Sequence, residues 1–177
     1  MTLITGISGV RTFTSRARLE RALTSLPNQM ARNVAAAVLR NLDAHHVVLR
    51  ETNDGVFGFR PPLTRPQLCH NRCWDSAAFI QAALHRQLGL PEEDIHLPQI
   101  VGRWRPSCAG FPSFEGHNIA VVETAGFRLA LDLAAAQISP FRLHEFVIVV
   151  GPTDSVMPSV LRAYTRAGSR KATLLFW

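Results

Sequence analysis

The apolar residues change period half-way along the chain, and this change constrains the fold more than any other feature. In the first half they recur three or four positions apart, as helix faces do; in the second they gather into short β-prone runs. Helices followed by strands predict an α+β fold rather than alternating βαβ units. Ser15 is expected to cap a helix carrying Leu19, Ala22, Leu23 and Leu26, stopped at Pro27. Asn28 stands before a second, carrying Met30, Val34, Ala37, Val38 and Leu42. Residues 47–50 and 56–59 flank Asn53-Asp54-Gly55, a turn signal that predicts a short hairpin. Pro61, Pro62 and Pro66 mark 60–70 as an extended loop. The most legible helix is 73–88, with Ala77, Ile80, Ala83, Leu84 and Leu88 on one stripe and Gly89 and Pro91 as its stop. Strands are expected at 99–102, at 119–122 and 127–132 as a hairpin, and at 145–150; 103–116 reads as a loop. A helix over 155–167 and an edge strand over 173–177 complete the expectation.

Composition narrows the class. The chain of 177 residues, 47% hydrophobic and 18% charged, fits one domain spanning 1–177 and excludes wholesale disorder. No apolar run is long enough to span a membrane and no Sec-type signal is visible, so a soluble protein is expected, cytoplasmic or delivered by a specialised secretion system. The net charge is +6, and Lys171 is the only lysine. The arginines are scattered from Arg11 to Arg170 without a run, so no nucleic-acid stripe is expected. Cys69, Cys73 and Cys108 cannot all pair, which argues against a disulfide framework.

Cys73 opens the predicted 73–88 helix, where unpaired N–H groups and the helix dipole favour a thiolate. The plain alternative is a small buried apolar residue. The downstream hairpin bears on that choice. With Val122 opposite Phe127, paired positions sum to 249 and His117 falls opposite Asp132, imidazole beside carboxylate on one face. A carboxylate that fixes the tautomer of one ring nitrogen leaves the other for a thiol, which is the division of labour in a nucleophile, base and orienter.

Asn71-Arg72-Cys73-Trp74 opening a helix, then Gly116-His117-Asn118-Ile119-Ala120-Val121-Val122, then Leu129-Ala130-Leu131-Asp132 with Gln137 five residues on, resembles the transglutaminase-like branch of the papain-like cysteine enzymes. Within it the chain looks most like the bacterial toxin and effector protein-glutamine deamidases of the Pasteurella multocida toxin C-terminal domain type. The resemblance implies a papain-like core with N-terminal helices, a nucleophile helix and an antiparallel sheet. It implies Cys73 as nucleophile, His117 as general base and acid, Asp132 as orienter, and Gln137 as an oxyanion donor beside the Cys73 N–H. The implied reaction converts a glutamine side chain of a partner protein to glutamate, with no cofactor. A cysteine peptidase or a transglutaminase would use the same triad, and a non-catalytic basic binding domain is the alternative from another class.

Cys69, His70, Cys73 and Cys108 have the atoms for a zinc site, but no second pair at standard spacing follows, so no metal is expected. His45, His46, His85, His96 and His144 read most simply as exposed or capping. Trp74, beside the thiol, and Trp104, before His117, are expected to wall a substrate slot if they are not core or rim.

Overall fold

A computed structural model of the chain describes residues 9–53 and 56–175. Strand β1 (Arg11–Phe13) precedes helices α1 (Arg16–Ala22), α2 (Gln29–Asn53), α3 (Arg65–Cys69) and α4 (Cys73–Leu88). Then come β2 (Ile95–His96), β3 (Gln99–Trp104), β4 (Phe114–Asn118), β5 (Ala120–Thr124), β6 (Phe127–Asp132) and β7 (Val147–Pro152). Helix α5 (Thr153–Ala167) and β8 (Thr173–Leu174) follow. The strands form two antiparallel sheets, one ordered β1-β7-β6-β5-β2 and one ordered β4-β3-β8. The fold is α+β.

Successive side chains on a strand point to opposite faces, so each central strand feeds two cores. Ala120, Val122, Leu129, Leu131, Ile148 and Val150 face the N-terminal helices, where Leu19, Val34, Val38, Ile80 and Leu84 meet them. Val121, Ala130, Val147 and Val149 face the other way, onto Trp104, Val156, Val160 and Tyr164. Each fully buried Val, Leu or Ile side chain among them contributes roughly 1.5–3 kcal/mol. Asp132 has the parity of Ala130, so the pleat sends its carboxylate to the α5 side.

Helix α4 has the predicted bounds. Its stop is Gly89 at φ +64, whose N–H donates to the His85 carbonyl at 2.9 Å, while His85 Nδ1 donates to the Leu90 carbonyl at 2.8 Å. Asn28 caps α2 by accepting from the Ala31 N–H at 2.7 Å, whereas the Ser15 side chain makes no cap bond to α1.

Three local expectations are corrected. Residues 47–50 do not begin a hairpin but continue α2, because Leu49 is buried against Leu68 and Cys69 and this contact outweighs the β preference of Val47 and Val48. Asp54 and Gly55 of the expected turn lie outside the described residues. Within 60–70, Arg65–Cys69 is helical: the Gln67 side chain accepts from the Thr64 N–H at 2.8 Å, and Pro66 sits in the first turn, where its missing N–H has no helical partner to lose. The expected loop 103–116 loses both ends to strands, since β3 runs to Trp104 and β4 pairs back onto it. Of the edge strand over 173–177, Thr173–Leu174 pairs with β3, and 176–177 lie outside the described residues. Among the described residues no helix is long and apolar enough to cross a membrane.

Candidate active site

Cys73 is the first residue of the 16-residue helix α4, whose opening N–H groups have no carbonyl one turn back to donate to. Asn71, at φ +54, makes the tight turn between α3 and α4 that brings the thiol to the sheet. One turn into the helix, Ser76 Oγ meets His45 Nε2 of α2 at 3.0 Å. His45 is therefore fully buried rather than exposed or capping, and burial, with the Arg65 and His46 charges, pushes it down to about 3. It is a neutral pin between α2 and the helix that carries Cys73.

His117 and Asp132 meet, with Nε2 to Oδ2 at 2.7 Å, but they are not cross-strand partners. The hairpin closes on Ala125-Gly126, with Thr124 opposite Phe127 and Ala120 opposite Leu131, so paired positions sum to 251 rather than 249. Gly126 takes φ +77, which Ala125 in the second turn position would resist. A change of two in the sum preserves the face of every side chain. The chain then leaves the large sheet at Ile119, and β4 pairs with β3, placing His117 opposite Ile100. Two sheets thus supply the two side chains.

Three donors converge on Asp132. Oδ2 accepts from His117 Nε2–H and from the Tyr164 hydroxyl of α5, and Oδ1 accepts from the Ala134 N–H at 2.9 Å. The His117 ring stacks on Tyr164 with centroids 5.4 Å apart. Trp104 backs the same group, donating from Nε1 to the Tyr164 carbonyl at 3.0 Å and lying edge-on to His117 at 6.3 Å. It is buried behind the histidine and walls no slot. Tyr164 was not singled out in the sequence; its available signal was that it is the only tyrosine and lies on the apolar stripe of a helix.

Gln137 sits in a 3-10 turn held by Ser107, whose N–H donates to the Gln137 carbonyl at 2.7 Å. Its Oε1 accepts from the Asn71 backbone N–H at 3.1 Å. Because that backbone group can only donate, the amide orientation is settled, and Nε2 points to His117 Nδ1 at 2.6 Å. Nε2 is thus a donor held beside the nitrogen that faces the thiol.

The electrostatics follow from this geometry. Burial opposes charge on His117, but the Asp132 charge and hydrogen bond, with the Cys73 thiolate, outweigh it and raise the imidazole above its ordinary 6.5. Burial also opposes the Cys73 thiolate, yet His117, the Asn118 backbone and Gln137 together lower the thiol below its ordinary 9.0. Opposite shifts favour a thiolate–imidazolium pair, although in this geometry Nδ1 accepts from Gln137 Nε2–H, so a proton reaches Nδ1 only as that amide donor turns to another acceptor. Tyr164 is raised well above its ordinary value by burial and by Asp132, so it stays a neutral donor. His117, Asp132 and Gln137 are all within 3% of full burial, whereas Cys73 is partly exposed, so a reactant reaches the group from the thiol side.

The other expected residues fall elsewhere. Cys69 is buried, donates weakly to the Leu133 carbonyl at 3.7 Å, and is pushed up by burial to about 11; burial raises Cys108 as well. Neither has the surroundings of a nucleophile. Trp74 is 56% exposed and does not line the cavity beside Cys73. Among the described residues no group of three His, Cys, Asp or Glu side chains is placed to hold a metal ion.

No family model, curated protein or solved structure matches the chain.

Proposed function

We propose that this chain is a cysteine-dependent acyl-transfer enzyme of transglutaminase-like, papain-like type, and that its reaction is hydrolysis of a carboxamide, glutamine to glutamate, on a partner protein. The observation that carries the reading is the buried His117–Asp132 hydrogen bond at 2.7 Å beside the partly exposed Cys73, with the thiol lowered by His117 and the imidazole raised. A helix that presents a thiol to a histidine and a carboxylate carried by two antiparallel sheets supports the family reading. In the proposed mechanism the Cys73 thiolate adds to the amide carbon, and the oxyanion accepts from the Cys73 N–H and Gln137 Nε2–H. Such donors are worth about 2.7–4 kcal/mol each where they have been removed singly. His117 gives its Nδ1 proton to the departing nitrogen as the C–N bond breaks, leaving a thioester and ammonia. The neutral imidazole then takes a proton from water, hydroxide adds to the thioester, and the thiolate leaves with the acid as product. Gln137 Oε1, anchored on the Asn71 N–H, keeps Nε2 beside His117 Nδ1, from where it turns to the oxyanion as that nitrogen takes its proton.

The test is incubation of the chain and its Cys73→Ala variant with proteins from a cell lysate, read by ammonia release and intact-mass analysis. Glutamine-to-glutamate conversion that disappears in the variant is the expected result. New backbone termini would move the assignment to a peptidase, and amine incorporation to a transglutaminase. Unreactivity of Cys73 toward alkylating reagents would leave the basic binding domain.

A further inference from the structure

Beside Cys73 and Gln137 lies a cavity of about 220 Å³ whose walls come from three separate parts of the chain. Phe57 comes from the turn after α2, His70 from the end of α3, and Phe111 from the connection between β3 and β4. Their rings meet there: Phe111 lies 4.2 Å from His70 and 5.9 Å from Phe57, and Phe57 lies 4.8 Å from His70. Among the described residues no aspartate, glutamate, lysine or arginine lines the space, although the chain carries a net charge of +6. A charged group placed there would lose its water without gaining a partner.

Two further observations point to an occupant. Among the described residues, the non-glycine residues with positive φ are Phe57 (+59) and Asn71 (+54), and both line this cavity. A bulky aromatic held in the left-handed region is strained, and such strain concentrates at ligand clamps. The size is also informative. A cavity of about 150 Å³ accommodates a benzene ring, so the space holds a ring-sized group with room left for the amide under attack.

We propose that this cavity is a specificity pocket for an uncharged aromatic or leucine-sized side chain adjoining the carboxamide that Cys73 attacks. The inference rests on Cys73 as the nucleophile and adds the class of substrate: the targeted amide has a large apolar neighbour, which Phe111, Phe57 and His70 clasp while Gln137 meets the carbonyl oxygen. Phe57 is 42% exposed in this structure, so it also presents ring surface that an occupant would cover.

Alkylation of the thiol tests the pocket without requiring turnover. Second-order rates at Cys73, mapped by peptide mass, are compared for iodoacetamide, N-phenyliodoacetamide and N-(2-aminoethyl)iodoacetamide, each divided by its rate with glutathione. The phenyl reagent should be favoured at least about tenfold over iodoacetamide, the scale of discrimination by apolar pockets, and the ammonium reagent should be disfavoured. In Phe111→Ala the phenyl-to-iodoacetamide ratio should drop toward that of glutathione. Equal normalised rates for all three reagents in the wild-type chain would overturn the pocket while leaving the nucleophile standing. An unreactive Cys73 would overturn the enzyme reading and the pocket together. A phenyl preference that survives in folded Phe111→Ala would also count against the pocket as drawn.

Discussion

Asp132→Asn removes one charge while nearly preserving shape, and so tests the polar chain at its centre. His117 Nε2–H, Tyr164 O–H and Ala134 N–H all donate to Asp132. An asparagine amide offers one oxygen and places N–H groups where the second oxygen stood, so at least one of these donors loses its acceptor. Breaking one side of a buried ionic pair costs roughly 3–5 kcal/mol. At about 2–4 °C per kcal/mol for a chain of this size, the melting temperature should fall by about 6–20 °C. The electrostatic effect is separable from that loss. A unit charge about 4 Å away at an effective dielectric of about 20 is worth about 4 kcal/mol, or about three pKa units. Without it, burial governs His117 and keeps the imidazole neutral, and burial then governs Cys73 and moves the thiol up. Iodoacetamide alkylation of Cys73 followed against pH reads this directly. The wild-type midpoint should lie below the ordinary thiol value of 9.0, and that of the variant should lie higher than the wild type's. A folded variant whose midpoint has not moved refutes the argument that the Asp132 charge sets the state of the thiol.

Tyr164→Phe removes one hydrogen bond to a buried carboxylate, worth about 1.5–3 kcal/mol, so calorimetry should show a melting temperature lower by about 3–12 °C; an unchanged melting temperature would contradict the bond. Gly102→Ala should destabilise by about 1–3 kcal/mol in a denaturant titration, since a Cβ there would meet Trp104 Cζ2 at 2.5 Å and the rigid indole behind His117 must shift. The pH dependence of stability carries a sign that can be checked. His117 is raised above 6.5, so its contribution is complete below pH 6.5 and is lost as pH rises through the folded value. Cys73 is lowered below 9.0, so its contribution is complete above pH 9.0 and is lost as pH falls through the folded value. Between these limits the two slopes offset, because folding adds a proton to the imidazole and removes one from the thiol. Cys73→Ala leaves the His117 slope unopposed, so its melting temperature should fall with rising pH above 6.5 more steeply than that of the wild type; parallel curves would count against the ion pair.

The sequence by itself determined what depends on neighbours within a few residues. The bounds of α4 were legible because Gly89 and Pro91 stop an amphipathic stripe, and with them the place of Cys73 at a helix start. The faces of β5 and β6 were legible from a period of two, but His117 lies on β4 of the other sheet, so its meeting with Asp132 follows from the crossing at Ile119 and not from the hairpin register. Tertiary structure decided what needs contacts between distant segments. Leu49 carries α2 through 47–50 because Leu68 and Cys69 cover it. The chain crosses from one sheet to the other at Ile119 because β3 offers β4 an edge. Tyr164 reaches Asp132 from 32 residues downstream, and Phe57, His70 and Phe111 meet beside the thiol from three separate segments. Local spacing encodes period, caps and turns; it does not encode which buried carboxylate a distant hydroxyl will find, because that depends on how all the layers pack.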